Sequence, residues 1–292
     1  MEVTDAIRGM TVRPYSVRAV EQLPEALLEL AKSRLPEGQA IEGIFVVPPE
    51  TYKHGFAWRL NPLQALIFTK QGVLHLAASS RKGRPGDALW ISVEDVFKIK
   101  FSLILLYEKL EIFAAHNEQP VKIELEYHAV GHNLLTPLLR GLMRKTWQKN
   151  PAALAQRPED ATFSEFVATS YSFYNGLKNE AIQPDERILG YVYQPEIHRP
   201  FLKSFYRKVF PKTALALTDQ QLILLQEDLA LPSHHEWIFT FIPLYRIASI
   251  QPSEIKAWQK ISIHLNGGAQ AQVIDLILEP VQAQKCRSLL NF

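Results

Sequence analysis

ALIFTKQGVLHL, residues 65 to 76, and ALALTDQQLILL, residues 214 to 225, follow one pattern. Ala65, Leu66, Thr69, Gln71 and Leu76 meet identical residues, and most other positions keep their apolar character. The match continues outward. ISVEDVFKI (91–99) meets IPLYRIASI (242–250), with apolar groups at the first, third, sixth and ninth places of both. YEKLEIF (107–113) meets WQKISIH (258–264), and VKIELEY (121–127) meets QVIDLIL (272–278). The offset is 149 residues for the first pair and 151 for the other three. Upstream, IEGIFVVPPE (41–50) resembles ILGYVYQPEI (188–197), each a hydrophobic run closed by proline. Blocks matched in order at nearly constant offset point to an internal repeat. The chain reads as two copies of one fold, 40–148 and 184–292.

Within each copy the local pattern is β. In KIELEY, Ile123, Leu125 and Tyr127 alternate with Lys122, Glu124 and Glu126, as on a half-buried strand. Asn266-Gly267 between two apolar runs predicts a tight hairpin turn. A helix is expected at the end of each copy. In the first, Thr136 caps, Pro137 takes the first helical position, and Leu138, Leu139, Leu142 and Trp147 form the stripe. In the second, Pro280 opens the helix and Val281, Cys286, Leu289 and Leu290 are its buried side. Outside the copies, residues 23–35 predict a helix with Pro24 first and Leu27, Leu30 and Ala31 on one face. Residues 162–178 predict another, begun by a Thr162–Glu165 capping box, with Phe163, Phe166, Val167, Tyr171 and Tyr174 at helical spacing. The organisation expected is a helical extension over 1–39, a domain over 40–148, a linker with a helix over 149–183, and a second domain over 184–292.

Short strands followed by one terminal helix, twice over, resemble tandem pleckstrin-homology-like (PH-like) domains, the bacterial and GRAM-like branches most closely. The residues that carry the resemblance are LTDQQLILL (217–225) and IPLYRIASI (242–250). The first copy has FTKQGVLHL and ISVEDVFKI, without that proline, and Trp147 stands where eukaryotic members carry a helix tryptophan. The resemblance covers 40–148 and 184–292, and implies a mainly β fold with α: two strand barrels or sandwiches, each closed by its terminal helix. It also implies binding roles of many unrelated kinds.

The 292 residues suffice for two domains, and the net charge of +2 calls for no polyanion as the main partner, so nucleic acid is not expected. The single cysteine, Cys286, cannot form an internal disulfide and fits a reducing cytoplasm. MEVTDAIRGM at the amino terminus lacks an apolar core of signal-peptide length, and no run reaches the roughly 18 to 20 apolar residues of a membrane span.

One stretch stands out chemically. HRPFLKSFYRKVFPK (198–212) carries Arg199, Lys203, Arg207, Lys208 and Lys212 among Phe201, Phe205, Tyr206 and Phe210, with no acidic residue. In lipid-binding members of the resembled family the connection between the first two strands holds phosphoinositide headgroups, through a lysine, a spacer and a basic-x-Arg triplet. Here Lys203 is followed by Arg207-Lys208, so the triplet is not met. Plotted as a helix, Phe201, Leu202, Phe205, Tyr206 and Val209 share one side, beside a stripe of Arg199, Lys203 and Arg207. That predicts a short basic amphipathic helix, either interfacial or simply packed on its own domain. The matched connection, 52–62, holds Lys53, Trp58 and Arg59. Leu103, Ile104 and Leu105 align with Glu254, Ile255 and Lys256, so something must cover the apolar version.

No nucleophile elbow, phosphate loop, dinucleotide fingerprint or paired-cysteine motif occurs. His128 and His132 are four apart but lack the zinc-protease glutamate, and His234, His235 and Glu236 suit adventitious metal at most. No cofactor and no metal site are expected. The expected role is a non-catalytic interaction module that binds a protein partner or associates with itself. The alternatives are peripheral attachment to anionic lipid at the inner membrane face, through Arg199, Lys203, Phe205, Arg207, Lys208 and Lys212 aided by Lys53, Trp58 and Arg59, and an enzyme whose site does not show in the sequence.

Overall fold

The computed structural model describes residues 13–54, 57–79, 86–104, 106–147, 157–201, 205–227, 236–255, 257–267 and 272–291. It begins with β1 (Tyr15–Val17), a 3-10 turn and helix α1 (Glu25–Arg34). Then come β2 (Ile41–Val47), a hairpin of β3 (Glu50–His54) and β4 (Ala57–Asn61), and β5 (Gln64–Thr69), β6 (Gly72–Ala77) and β7 (Asp87–Ser92). Next are β8 (Val96–Ile104), β9 (Tyr107–His116), β10 (Gln119–His128) and helix α2 (His132–Thr146). Two short helical turns follow, α3 (Phe166–Thr169) and α4 (Tyr171–Asn175). The second half holds β11 (Ile188–Gln194), a hairpin of β12 (Ile197–Phe201) and β13 (Phe205–Phe210), β14 (Thr213–Thr218), β15 (Gln221–Glu227) and β16 (Glu236–Pro243). It ends with β17 (Ile247–Ile255), β18 (Trp258–Leu265), β19 (Gln272–Leu278) and helix α5 (Pro280–Leu290). The fold is mainly β with a few helices.

The order of elements repeats, and so do local details. Thr69 Oγ1 accepts from the N–H of Gln71 and Gly72 and donates to Gly72 O. Thr218 Oγ1 does the same with Gln220 and Gln221. These identical turns join β5 to β6 and β14 to β15, the two hairpins of the opening sequence match. A glycine early in the first long strand of each repeat lies under that repeat's last helix. A Cβ on Gly43 would meet Leu138 Cδ2 at 2.6 Å, and one on Gly190 would run into Leu289 Cδ1. The ladder shifts register at both glycines.

Contacts divide the chain into two compact units whose bounds differ from the sequence blocks. The first comprises Met1–Val96, Leu106–Leu110 and Ile123–Thr146; the second comprises Phe97–Leu105, Glu111–Lys122 and Trp147–Phe292. In the first unit a five-stranded sheet runs β1-β2-β5-β6-β7. Its core packs Ile44, Val46, Ile67, Leu74 and Leu76 against Leu27 and Ala31 of α1. Leu30 is only partly buried, and Pro24 stands at the N-cap of that helix, one place before the position expected. A seven-stranded sheet runs β10-β9-β8-β16-β15-β14-β11; its β11 and β14 to β16, with Phe97–Ile104 of β8, belong to the second unit, as does the three-stranded β17-β18-β19. β8 pairs antiparallel with β16, from Ile99 opposite Phe241 to Ile104 opposite Glu236. Leu103, the first residue of the apolar run that the sequence flagged, stands opposite Trp237 in this pairing. Of the barrels or sandwiches expected, closed barrels are set aside: the sheets are open, and one of them takes strands from both sequence copies. The outer edge of β16 finds hydrogen-bond partners on β8 instead of curling back upon its own repeat.

Other expectations are corrected in detail. Helix α2 starts at His132, so Pro137 lies inside it. His128 Nδ1 accepts from Val130 N and leads into a 3-10 turn, so Thr136 is not the cap. Leu139, Leu142 and Trp147 are buried as expected. The 162–178 helix is broken: Ser170 takes extended dihedrals (φ −157°, ψ 96°) between α3 and α4, and Asp160, not Thr162, caps the preceding 3-10 turn. Phe163, Phe166 and Phe173 are buried, while Val167 and Tyr171 are exposed. The core there is aromatic: Phe166 stacks on Tyr191 at 4.8 Å between ring centroids. On α5, Ala283, Cys286 and Leu290 are buried but Val281 is 64 % exposed. The β18–β19 register places Leu265 opposite Gln272, which leaves six residues between them and no two-residue Asn-Gly turn. Two successive positive φ angles fall instead on Asn117 (50°) and Glu118 (64°), between β9 and β10, as a two-residue type I′ turn requires.

Candidate interaction surfaces

The basic aromatic strip is not a helix. β12 and β13 form an antiparallel hairpin with His198 opposite Lys208, Arg199 opposite Arg207, Pro200 opposite Tyr206 and Phe201 opposite Phe205. Phe, Tyr and Val favour a pleated strand, and Pro200 is tolerated on a strand with a free edge. Lys203 lies outside the described residues. Arg199, Phe205, Arg207 and Lys208 are described by their ladder positions alone.

Lys212, by contrast, is engaged within the protein. Its Nζ donates to Glu227 Oε1 at 3.2 Å. Burial works against its charge, but the bond to Glu227 and the charges of Glu227 and Glu196 outweigh burial and raise its pKa. In the first repeat β3 and β4 form the matching hairpin, with Tyr52 opposite Arg59 and Lys53 opposite Trp58. Lys53, Trp58 and Arg59 are likewise described by their ladder positions. Each hairpin is inserted between the first two long strands of its repeat, β2 and β5 or β11 and β14.

Sheet edges are the other available surface. β7 ends the five-stranded sheet and β17 ends the three-stranded one. Nearly all of β17 is exposed. Among the described residues neither strand has a neighbour on its outer side. At the matched places, β16 and β8 pair with each other. Sequence reading noticed the apolar run of β8 but not its partner, since strand pairing across a long separation leaves no local signal.

The strongly perturbed titratable groups each have a packing explanation. His75 is pushed down to about 4 by burial, against the opposing charge of Asp87, and its Nε2 lies 2.9 Å from Gln64 Oε1. Burial pushes the Cys286 thiol up to about 12, which keeps it protonated and unreactive. His132 Nδ1 lies 3.0 Å from Glu108 Oε1, and Lys109 forms ion pairs with Glu124 and Glu126 at 2.8 and 4.0 Å. The acidic face of β10 is thus partly neutralised. Among the described residues no three His, Cys, Asp or Glu side chains gather as metal ligands do. His234 and His235 lie outside the described residues. No helix among the described residues is long and apolar enough to cross a membrane.

Glu186 yields a pH prediction. It is buried, and Gln221 Nε2 donates to both its oxygens at 2.7 and 2.9 Å. Burial raises its pKa to about 7, although the bonds from Gln221 and Thr218 pull the other way. The folded state therefore holds this proton more tightly than the unfolded chain does. Stability falls as pH rises from the unfolded value near 4.5 through about 7, and the full cost is present above that. At about 1.4 kcal/mol per pH unit this is at most about 3.5 kcal/mol. Glu186→Gln is expected to melt on the order of 5 °C higher than the parent at pH 8 and nearly level with it at pH 4.5, as thermal unfolding at the two pH values would show.

Neither a scan against protein-family models nor a search of curated proteins finds a match to this chain.

Proposed function

We propose that the chain is a non-catalytic interaction module: tandem PH-like units that bind a protein partner or associate with copies of themselves. The observation that carries this reading is the β8–β16 ladder. The chain uses one unpaired strand edge to satisfy another, while the matched edges of β7 and β17 are left without strand neighbours among the described residues. Such edges are templates for strand addition. Sedimentation velocity over a wide concentration range tests the self-association arm. The expected result is a mass that grows with concentration, accompanied by slower amide exchange in β7 or β17. A constant monomer with unchanged exchange removes that arm and leaves the protein-partner arm.

A second reading is favoured by the register of the β12–β13 hairpin, with Arg199 opposite Arg207 and His198 opposite Lys208. It is peripheral attachment to anionic lipid, with Phe205 and the matching hairpin's Lys53, Trp58 and Arg59 in support, at the cytoplasmic face of a membrane. A basic residue near an anionic leaflet contributes about 1 kcal/mol. Replacing Arg199 and Arg207 by glutamine is therefore expected to weaken flotation with anionic vesicles roughly thirtyfold at low salt. Binding that ignores salt, or that is equal on neutral vesicles, rules this reading out.

A further inference from the structure

The first long strand of each repeat has an outer edge, and the two edges are treated differently. In the first unit the edge of β2 is occupied by the chain itself: β1 pairs antiparallel, with Tyr15 opposite Val46, Ser16 opposite Phe45 and Val17 opposite Ile44. Tyr15 and Val17 pack against the core of that unit and Ser16 is exposed. In the second unit β11 ends the seven-stranded sheet, and among the described residues no strand lies on its outer side. Counted from the paired glycines Gly43 and Gly190, the β2 residues Ile44, Phe45 and Val46 correspond to Tyr191, Val192 and Tyr193.

That edge opens into a groove of about 890 Å³. Five consecutive residues, Leu189 to Tyr193, line it. Alternate side chains of a strand leave on opposite faces, so an unbroken run marks a backbone edge and not a sheet face. One wall is α5, with Val281, Lys285 and Leu289; the other includes Arg157 and Thr169. The groove is held open by fixed contacts. Asp160 N–H donates to Ile188 O at 2.7 Å at one end of the edge, and Glu279 N–H donates to Gln194 Oε1 at 2.8 Å at the other. Arg157 is tied to Leu289 O and Asn291 O at 3.0 and 2.7 Å. Val281, a large apolar side chain left exposed on this wall, lacks the cover that an occupant would supply.

We propose that the groove beside β11 binds an extended peptide from a partner protein, added antiparallel to Tyr191–Tyr193 as β1 is added to β2. The proposal rests on the interaction-module reading and names its partner class. The peptide has apolar residues at alternate positions around a small polar one, in the manner of Tyr15-Ser16-Val17. Ladder hydrogen bonds provide affinity and alternate side chains provide selection. The ionisable lining is Arg157, Lys285 and Asp160, net positive, so acidic flanks are preferred to basic ones.

The test uses the full chain and a synthetic peptide copying residues 13–19, Arg-Pro-Tyr-Ser-Val-Arg-Ala, together with the same peptide bearing glutamate for both arginines. Binding is followed by fluorescence anisotropy and located by amide exchange. The expected result is slowed exchange within Gly190–Tyr193, with the glutamate peptide tighter. Val281→Glu, at an exposed position that leaves the fold intact, should weaken binding at least about tenfold. N-methylation at the valine, in the place of Val17 opposite Ile44, removes a ladder donor and should weaken binding without altering the side chains. No slowed exchange in β11 at millimolar peptide, or protection confined to β2 through exchange with β1, overturns the proposal. If β11 stays unprotected while the chain still self-associates, the module reading survives and only the peptide site is lost.

Discussion

Phe97→Ala is expected to cost about 3 to 5 kcal/mol, and the loss should fall on the second unit although the residue belongs to the first sequence copy. Phe97 is fully buried, in a core with Leu215, Leu217, Leu224, Ile261 and Ile263. Its ring lies 6.3 Å from that of Phe113, and a Cβ placed on Gly267 would meet it at 3.1 Å. Truncation leaves a void bounded by strands already committed to the two sheets, so little collapse can fill it. Hydrogen exchange makes the assignment. Amides of β14, β15 and β18 should lose protection, while those of β2, β5 and β6 keep theirs. A loss confined to β2, β5 and β6 would mean that Phe97 serves the first unit after all.

The second large effect concerns a proline that one repeat tolerates and the other should not. At an offset of 151, Phe101 of β8 matches Pro252 of β17. β17 is an edge strand, paired with β18 on one side, and Pro252 stands opposite Ile261. An edge strand can hold a proline whose missing donor faces outward. β8 has neighbours on both sides, β9 and β16, and Phe101 stands opposite Phe239. Phe101→Pro removes a ladder donor and a buried ring at once, a loss of about 5 kcal/mol or more. Denaturant titration should show the second unit melting first or failing to fold, whereas Pro252→Ala should shift the midpoint by no more than about 1 kcal/mol. Near-equal effects of the two substitutions would mean that the β8–β16 ladder contributes little.

How far the sequence could be read differs from element to element. Thr69 and Thr218 were recognisable as counterparts because a strand-ending threonine that caps its own turn is a local device, completed within four residues. The alternation of Ile123, Leu125 and Tyr127 is equally local, and all three are buried. The strip at 198–212 misled because a 100° plot groups residues without asking where backbone donors go. Cross-strand pairing with Ile197–Phe201 supplied a partner that no helical plot contains. Val281 misled for a related reason: its spacing suits a buried face, but among the described residues the strand edge it overlooks carries no strand beside it. The groove at β11 had one legible trace, the match of IEGIFVV to ILGYVYQ, which marks two equivalent edges. Among the described residues only the first edge is filled, and the strand that fills it, β1, lies outside the repeat.

By itself, the sequence determined the repetition, the strand-rich character of each copy and the places of the terminal helices, because those follow from residue type and short-range periodicity. The tertiary structure alone decided which edges meet. An unpaired strand edge is satisfied by any neighbour in reach, and hydrogen bonds of the backbone carry no side-chain signature, so β8 could choose β16 without the sequence announcing it.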